Sequence, residues 1–358
     1  MSRHEVSFAM KHSLLVPLAL LGSWGTAQVP KHGTLETIQV HCACLTTNLT
    51  GDPADRSVVV YLPPSYTQES HRRFPVVYLL HGYKGSGAQW TADTHHGLQI
   101  ELDQAVETGR IHPLIVVMPD AHTRNGGSFF TDSITNGQWE KFITEALVHE
   151  IDRRYRTRAS PSSRGIAGHS MGGYGALRIA FDHPEVFSAV YALSPCCLAW
   201  KGDFSTSNPE WQTTLSFKSF DAFQSDEHYF AQAFAAMAMA WSPHASAPAL
   251  YADFPVRRNK AGALDELPAI RNLWTANLLV TLAQTHVARI RRLHAIAFDA
   301  GRNDPFTHIP LGEAELDRVL TVEHINHDFE LYDGDHTSGI ANRITTKMLP
   351  FFSNKLQP

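Results

Sequence analysis

From about residue 35 onward, continuous apolar runs alternate with segments whose apolar residues recur at helical spacing. Unbroken apolar runs are typical of strands that are buried on both faces of a parallel sheet. The predicted strands are 74–82, 112–121, 163–168, 187–195, 293–301 and 328–336, with helical patterns between them. This rhythm predicts an α/β fold: a mostly parallel central sheet with right-handed crossovers and helices on both faces.

Two β-branched runs precede the first buried strand, "LETIQVHCACL" (35–45) and "RSVVVYLPPSY" (56–66). The connector between them, "TTNLTGDPAD", is rich in turn-forming residues. Strands joined by a short turn pair antiparallel. We therefore predict an antiparallel pair at one edge of the sheet.

One long segment, residues 200–290, breaks the alternation with at least two helical patterns, at 229–241 and 270–293. It is too long for a plain crossover between strands. Open α/β sheets bind their ligands at the carboxyl ends of the strands. We predict that this insertion forms a lid or a pocket wall there, the alternative being a helical excursion packed on the sheet flank.

The first residues have the pattern of an export signal. Basic residues, among them Arg3 and Lys11, precede the apolar run 13–25, and small residues follow at 25–27. This predicts a cleaved signal over 1–27, a single domain over 28–358 and a secreted or periplasmic protein; a buried N-terminal helix is the alternative. No other segment approaches ~20 continuous apolar residues, so we expect no integral membrane segment in the mature chain.

The composition narrows the partners. The chain of 358 residues has a net charge of -5 and no long basic block, which argues against a nucleic-acid partner. Its 21 histidines are scattered without metal-ligand spacing, so we expect no metal. Four cysteines allow about three pairings. We interpret Cys196 and Cys197 as small buried apolar residues, while the state of Cys42 and Cys44 stays open.

The stretch "GHSMG" (168–172) fits G-x-S-x-G between a predicted strand and a predicted helix. In this context the serine occupies a strained strand-to-helix turn, and the flanking glycines give the backbone room. The turn exposes Ser170 above the sheet edge, beside the positive end of the helix dipole. Ser170 is therefore the candidate nucleophile.

A serine hydroxyl needs a base, and in this chain order an acid and then a histidine should follow it. His336 lies in a turn after the last predicted strand, where it can lean over the serine. Two carboxylates precede it: Asp299 lies within a strand, whereas Asp304 lies on the loop beyond. We favour Asp304 as the acid because functional residues concentrate on such loops.

Negative charge that develops on a substrate oxygen needs backbone donors. One is the amide of Met171, directly after the serine. The other should come from the loop after the third strand, here the glycine-rich "HGYKGSG" (81–87), with Tyr83 as its donor. The loop lacks the G-K-[ST] ending of a nucleotide-binding loop.

The ordered pieces resemble the esterase D-like branch of the α/β hydrolases, which includes S-formylglutathione hydrolases, feruloyl and acetylxylan esterases, enterochelin esterases and mycolyltransferases. The matching pieces are "VYLPPSY", "FPVVYLLHGYKGSG", "IVVMPDA", "EKFITEALVHEIDRRYR", "GIAGHSMGGYGAL", "DAGRNDPF" and "YDGDH". The resemblance implies an α/β-hydrolase fold, the catalytic residues Ser170, Asp304 and His336, and oxyanion donors at Tyr83 and Met171. Two departures, "HTSGI" after the histidine and the unmatched residues 200–290, leave the substrate open.

The predicted function is that of a secreted serine carboxylic-ester hydrolase without metal or cofactor, acting on small-molecule or carbohydrate-linked esters with feruloyl, acetyl or short acyl groups. An acyltransferase that uses the same three residues is the first alternative. A non-catalytic binding protein on a hydrolase scaffold is the second. Trp139, Trp90 and His169, together with the apolar stretch 229–241, are candidate substrate-binding residues, although Trp139 is equally a core-face residue of its helix.

Overall fold

The computed structural model describes Met1 and residues 32–92, 97–247 and 249–358. The export-signal prediction falls on residues 2–27 and so lies outside the described residues. Lys31–Pro358 form one compact unit. Within the described ranges, no helix is both long enough and apolar enough to cross a membrane.

The strands are β1 (Thr34–His41), β2 (Asp55–Leu62), β3 (Val76–Leu80), β4 (Ile115–Pro119), β5 (Asp132–Ser133), β6 (Gly137–Gln138), β7 (Arg164–His169), β8 (Ala189–Leu193), β9 (Val256–Arg258), β10 (Leu264–Glu266), β11 (Ala295–Gly301) and β12 (Asp328–Tyr332). The α-helices are α1 (Ser65–Gln68), α2 (Leu98–Glu107), α3 (Trp139–Lys141), α4 (Val148–Arg154), α5 (Met171–Asp182), α6 (Glu210–Thr214), α7 (Phe220–Gln224), α8 (Tyr229–Trp241), α9 (Pro268–Asn277), α10 (Leu279–Thr285), α11 (Val287–Ile290), α12 (His308–Val322), α13 (Ile340–Arg343) and α14 (Leu349–Lys355). Short 3-10 turns occur at Ala43–Leu45, Gly87–Thr91 and Pro161–Ser163, and π-helical turns at Phe142–Leu147 and Ile344–Met348.

The central sheet has eight strands in the order β1-β2-β4-β3-β7-β8-β11-β12. From β4 to β12 every neighbouring pair is parallel, whereas β2 pairs antiparallel with both β1 and β4. The predicted mostly parallel sheet and the antiparallel pair at its edge are both present. The carboxyl ends of β3, β7, β8, β11 and β12 meet along one side of the sheet, because parallel strands run in the same direction.

Successive residues of one strand face opposite sides of the sheet, and both sides are covered. In β3, Val76, Tyr78 and Leu80 enter one core, while Val77 and Leu79 enter the other. The first core includes buried residues of α5, α8 and α12, and the second includes those of α2 and α14. Burial on both faces explains why the sequence of these strands is apolar without alternation.

The insertion departs from the prediction in one respect. Residues 270–293 carry a continuous helical pattern, yet the structure divides them among α9, α10 and α11. The breaks fall at Leu278, whose ψ of 136° is extended, and at His286, whose ψ is 22°. Apolar periodicity reports which face is buried, and it continues across a break when consecutive short helices bury the same side.

Two of the four cysteines form a disulfide, Cys42–Cys44, at the end of β1. Cys196 and Cys197 carry free thiols and are buried, as the interpretation from the sequence expected.

Candidate active site

Ser170 stands at the turn between β7 and α5 with backbone angles of φ 57° and ψ −117°. A residue with a side chain adopts positive φ at a cost of about 1–3 kcal/mol, so the surrounding structure must hold it there. The Ser170 N–H donates to the carbonyl of Leu193, at the end of the neighbouring strand β8, over 2.9 Å. The Ser170 carbonyl accepts from the N–H of Tyr174, in the first turn of α5, also over 2.9 Å.

Two glycines make this turn possible. A Cβ at Gly168 would lie 2.3 Å from the backbone carbonyl carbon of Gly172. A Cβ at Gly172 would lie 2.2 Å from the backbone oxygen of Leu80, in β3. Both separations are far inside van der Waals contact, so the spacing of G-x-S-x-G here is required by the close approach of three backbone segments.

The loop after β3 lies against this turn and is fixed by a neutral histidine. His81 Nδ1–H donates to the Gly82 carbonyl over 2.8 Å, and His81 Nε2 accepts from the Ala121 N–H over 2.9 Å. Burial lowers the pKa of His81 to about 4, so the ring stays neutral at neutral pH. It therefore acts here as a bridge between two loops.

Two backbone amides beside Ser170 have no acceptor. Among the described residues, neither the Tyr83 N–H nor the Met171 N–H donates a hydrogen bond. Both residues line the same cavity as Ser170. Buried or half-buried N–H groups are rarely left unpaired, so both amides are available to donate to an oxygen atom of a bound molecule.

His336, on the loop after β12, pairs with Asp304, on the loop after β11. His336 Nδ1 and Asp304 Oδ2 are 2.7 Å apart. The Asp304 side chain is wholly buried, and its other oxygen accepts from the Phe306 N–H over 2.9 Å. The edge of the Phe306 ring meets the His336 ring with 4.8 Å between centroids. The carboxylate is therefore satisfied on both sides, and the imidazole has a fixed partner and a packed face.

The other carboxylates near this loop are occupied elsewhere. Asp299 accepts from Arg343 Nη2 over 2.8 Å and from the Tyr191 hydroxyl. Asp335 accepts from the backbone N–H groups of Thr337 and Ser338, which lower its pKa to about 2. The structure therefore pairs His336 with Asp304 and not with the competing candidate Asp299.

Ser170 and His336 do not form a hydrogen bond in this structure. Among the described residues, neither Ser170 Oγ nor His336 Nε2 has a hydrogen-bond partner. Catalytic hydrogen bonds are often long in free enzymes and tighten when substrate is bound. The contact predicted from the sequence therefore needs a movement of one of the two side chains.

His169 approaches His336 and not the cavity around Ser170. Its Nε2–H donates to the His336 carbonyl over 2.9 Å, and the two rings lie 4.7 Å apart between centroids. This links the serine turn to the loop that carries His336. The prediction of a substrate contact at His169 has no support from this placement.

Ser170 lies in the wall of a narrow, largely apolar cavity. Aromatic rings provide most of its wall, with sulfur atoms and small side chains between them. The lining residues are Tyr83, Phe129, Ser170, Met171, Cys196, Cys197, Phe204, Tyr229, Phe230, Ala233, Met237, Phe306, His308 and Ile309. Such a cavity favours an apolar group next to the serine hydroxyl.

Helix α8 of the insertion forms one wall of this cavity through Tyr229, Phe230, Ala233 and Met237. The helix is apolar apart from Gln232 and is buried from Ala231 to Trp241, because α6 and α9 of the insertion and β5 pack against it. Its Phe234 stacks on Trp211 with centroids 4.1 Å apart. The wall that α8 contributes is the observation on which the predicted pocket-wall role of the insertion rests, and that role stays a prediction.

Trp139 and Trp90 lie elsewhere. Trp139 is fully buried in the core, where Arg56 covers its ring at 5.0 Å and its Nε1–H donates to the Asn136 carbonyl. Trp90 is 4% exposed and belongs to the core on the opposite side of the sheet. Neither tryptophan reaches the cavity, so the expectation that they bind substrate is replaced by a structural role for both.

Several lining residues escaped the sequence analysis. Phe306 follows Asp304 by two positions, so the "NDPF" motif carried a signal for it. Phe129 and Phe204 lie in segments without periodicity and carried none. His308 is held by Asp203, with Nδ1 and Oδ1 2.6 Å apart; burial opposes the effect, yet this contact lowers the pKa of the Asp203 carboxyl. Within the described residues, no group of three or more histidine, cysteine or acidic side chains is arranged to hold a metal ion.

A family model described as a putative esterase matches residues 53–339 of this chain. An endo-1,4-beta-xylanase/feruloyl esterase of Xylanibacter ruminicola is 33% identical over 131 residues, which are 36% of this chain and 18% of that protein. The S-formylglutathione hydrolase of Bos taurus is 25% identical over 198 residues, 47% of this chain and 65% of that enzyme. The chain thus matches less than two thirds of the length of each of these relatives.

Solved structures share the fold over nearly the whole chain. A ferulic acid esterase superposes with a TM-score of 0.63 at 20% identity, covering 91% of this chain and 99% of the other. An S-formylglutathione hydrolase from Agrobacterium tumefaciens gives a TM-score of 0.58 at 21% identity, with 91% and 97% covered. The predicted α/β-hydrolase fold is confirmed.

Proposed function

This chain belongs to the putative esterase family, and from that premise we propose that it is a serine carboxylic-ester hydrolase. One observation carries the proposal: Ser170 and the two unpaired amides of Tyr83 and Met171 converge on one apolar cavity. The pair formed by His336 and Asp304 stands on adjoining loops at the same sheet edge. Together they supply a nucleophile, oxyanion donors, a base and its orienting acid.

His336 is the base in this mechanism. Its Nδ1–H donates to the buried Asp304 carboxylate, which leaves the lone pair on Nε2 free to take a proton. The side chain turns to bring Nε2 within hydrogen-bond distance of Ser170 Oγ when substrate enters. Ser170 Oγ then attacks the ester carbonyl carbon as its proton passes to Nε2.

The carbonyl oxygen of the ester becomes negatively charged in the tetrahedral intermediate. The Tyr83 and Met171 N–H groups donate to that oxygen, and the N-terminus of α5 adds the positive end of its dipole. Burial raises the pKa of the Tyr83 phenol, so the side chain of this residue stays neutral beside the developing charge. Its hydroxyl is held away from the serine, because it donates to the Asn125 carbonyl over 2.9 Å.

The intermediate collapses when His336 gives its proton to the leaving alcohol, and the acyl group remains on Ser170. Water then enters, loses a proton to His336 Nε2 and attacks the acyl carbon. The second tetrahedral intermediate uses the same two amides. Its collapse returns the proton to Ser170 Oγ and releases the carboxylic acid, so the enzyme ends unchanged.

The cavity favours esters whose acyl part is apolar. Its wall is aromatic, and the polar side chain of His308 lies within it. An aromatic acyl group of the feruloyl type matches the chemistry of this lining, and a relative that is 33% identical over 131 residues is named as an endo-1,4-beta-xylanase/feruloyl esterase. We infer the export of the protein from the pattern of residues 1–27 alone.

The test is hydrolysis of p-nitrophenyl esters by Ser170→Ala, with the exposed Ser216→Ala as its matched control. Removing the nucleophile should lower kcat by about six orders of magnitude, as in other serine hydrolases. The control should keep the wild-type rate, and only it and the wild type should be labelled by a fluorophosphonate probe. Hydrolysis by Ser170→Ala within tenfold of the wild type would refute the proposal.

A further inference from the structure

Two adjacent thiols face the cavity beside the proposed nucleophile. Cys196 and Cys197 follow β8, both line the cavity with Ser170, and their Sγ atoms are 2.7 Å apart. In an extended chain, neighbouring side chains point to opposite sides. The backbone at Cys197 is not extended: its φ of 62° is left-handed. Both sulfur atoms lie on the same side of the chain at this turn.

The same loop is bonded to the serine turn. The Cys196 N–H donates to the Ser170 carbonyl over 3.3 Å, and the Ser170 N–H donates to the Leu193 carbonyl over 2.9 Å. A third sulfur, Sδ of Met237 on α8, lies 3.6 Å from Cys197 Sγ. Any change in the geometry of the thiol pair therefore reaches both the cavity wall and the backbone of Ser170.

We propose that Cys196 and Cys197 form a redox modification site: a peroxide converts the pair to a vicinal disulfide, which reshapes the cavity and lowers esterase activity. The predicted loss of esterase activity rests on the proposed function. The formation of the disulfide bond does not depend on it. The sulfurs need to approach by about 0.7 Å to reach the ~2.05 Å of a disulfide. Cys42 and Cys44 are already bonded to each other, so the pair has no other free thiol in the chain to join.

Cys196 releases its thiol proton, and the resulting thiolate attacks one oxygen of hydrogen peroxide. The O–O bond breaks, and the other oxygen takes that proton and leaves as water. Cys197 Sγ then attacks the sulfur of the Cys196 sulfenic acid and displaces hydroxide, which takes the Cys197 proton to form a second water. Two electrons pass from the thiols to the peroxide. Cys196 reacts first because it is 8% exposed against 2% for Cys197, whose thiol pKa is raised by burial.

The bond should be easy to reduce. Adjacent Cα atoms are about 3.8 Å apart, below the ~4.4–6.8 Å span of ordinary disulfides, so the ring is strained. Strained disulfides have higher reduction potentials and belong to the labile, regulatory group. A dithiol reductant should therefore restore both thiols and the activity.

The experiment compares the reduced full-length chain before and after hydrogen peroxide. Free thiols are alkylated, and the tryptic peptide 179–201, which holds both cysteines, is weighed. We expect this peptide to escape alkylation and to be lighter than the reduced form by two hydrogen atoms. The kcat/KM for an aromatic acyl ester should fall about tenfold or more, since small displacements at a reacting centre are costly, and recover with dithiothreitol.

The variant with both Cys196→Ser and Cys197→Ser cannot form the bond, so any activity that it loses in peroxide comes from damage elsewhere in the protein. Its activity after treatment is compared with its own activity before treatment. It should retain its own starting activity. In the single variant Cys197→Ser, Cys196 should stop at the sulfenic acid and be trapped by dimedone. Full alkylation of the oxidised wild type, an equal loss in the double variant, or a disulfide without change in activity would each overturn the proposal. If the reduced wild type hydrolyses no ester, the proposed function fails, while the mass of the peptide still decides whether the bond forms.

Discussion

A buried acid behind the proposed catalytic pair should make the stability of this protein depend on pH. Glu313, on α12, is fully buried, and among the described residues neither of its carboxyl oxygens has a hydrogen-bond partner. Burial raises the pKa of Glu313 well above its usual 4.5, and the charges of Asp299 and Asp304 raise it further. The folded protein therefore keeps this side chain protonated and neutral where an exposed glutamate is ionised.

The number of protons bound by the folded and the unfolded chain decides how the free energy of unfolding changes with pH. Above pH 4.5, the usual pKa of this side chain, the unfolded chain releases the Glu313 proton, while the folded chain retains it up to its own, higher pKa. The folded state then binds one proton more, so the free energy of unfolding falls by about 1.4 kcal/mol per pH unit across this window. Below the window both states are protonated, and the stabilisation is fully present.

The perturbation is Glu313→Gln, which keeps the shape and removes the ionisation. The free energy of unfolding, measured by urea titration from mildly acidic to weakly alkaline pH, should fall less steeply in the variant. The difference between variant and wild type should grow in favour of the variant by about 1.4 kcal/mol per pH unit. Parallel curves for the two proteins would mean that Glu313 is ionised in the folded state, and the reasoning would fail.

The matched control is Glu315→Gln, on the same helix. Arg318 hydrogen-bonds Glu315 and lowers its pKa, the opposite direction from Glu313. The stabilisation that ionised Glu315 provides is present above the pKa that this side chain has in the unfolded chain. It is lost as the pH falls through the lower pKa of Glu315 in the folded protein. The control should therefore run parallel to the wild type at neutral pH, and differ from it in slope only under acidic conditions.

Three further predictions concern the site. Asp304→Asn should lower kcat about 10⁴-fold with little change in KM, because the amide favours the wrong tautomer of His336; a loss below tenfold in steady-state kinetics would exclude Asp304 as the orienting acid. Gly168→Ala should destabilise the fold by about 1–3 kcal/mol or more in urea unfolding, since its Cβ would lie 2.3 Å from the backbone of Gly172; an unchanged midpoint would contradict the close approach. Ala233→Leu should narrow the cavity and reduce kcat/KM for aromatic acyl esters relative to acetyl esters by about tenfold; an unchanged ratio would place the acyl group elsewhere.

The sequence predicted the serine turn and the pairing of loops because both depend on rules of backbone geometry. G-x-S-x-G marks a place where three backbone segments approach too closely for a Cβ, as at Gly168 and Gly172. The strand order places the loops after β11 and β12 side by side. Asp304 could be preferred over Asp299 because one follows its strand and the other lies inside it.

The sequence could not decide between a core position and a ligand contact for tryptophan. An apolar residue at helical spacing, such as Trp139, marks a buried face without saying which side of the sheet it meets. Trp139 lies at the start of a helical segment whose face packs on the core, and Trp90 lies on a 3-10 turn on the opposite side of the sheet. Both are large and buried, as their type favours. Only the path of the connecting loops decides whether such a residue reaches a ligand, and the sequence pattern carries little information about that path.

The backbone at the cavity is unusual in a way that side-chain patterns do not reveal. Six non-glycine residues have positive φ in this part of the chain: Lys84, Phe129, Phe130, Ser170, Ser194 and Cys197. Three of them line the cavity, and each of the other three lies within two residues of a lining residue. Each costs of order 1–3 kcal/mol and persists only where packing and hydrogen bonds hold it. Glycine at these positions would relieve the backbone strain but would remove the phenyl ring, the hydroxyl or the thiol that lines the cavity. The strained residues around Ser170 therefore lower the stability of the fold in exchange for a fixed placement of these side chains.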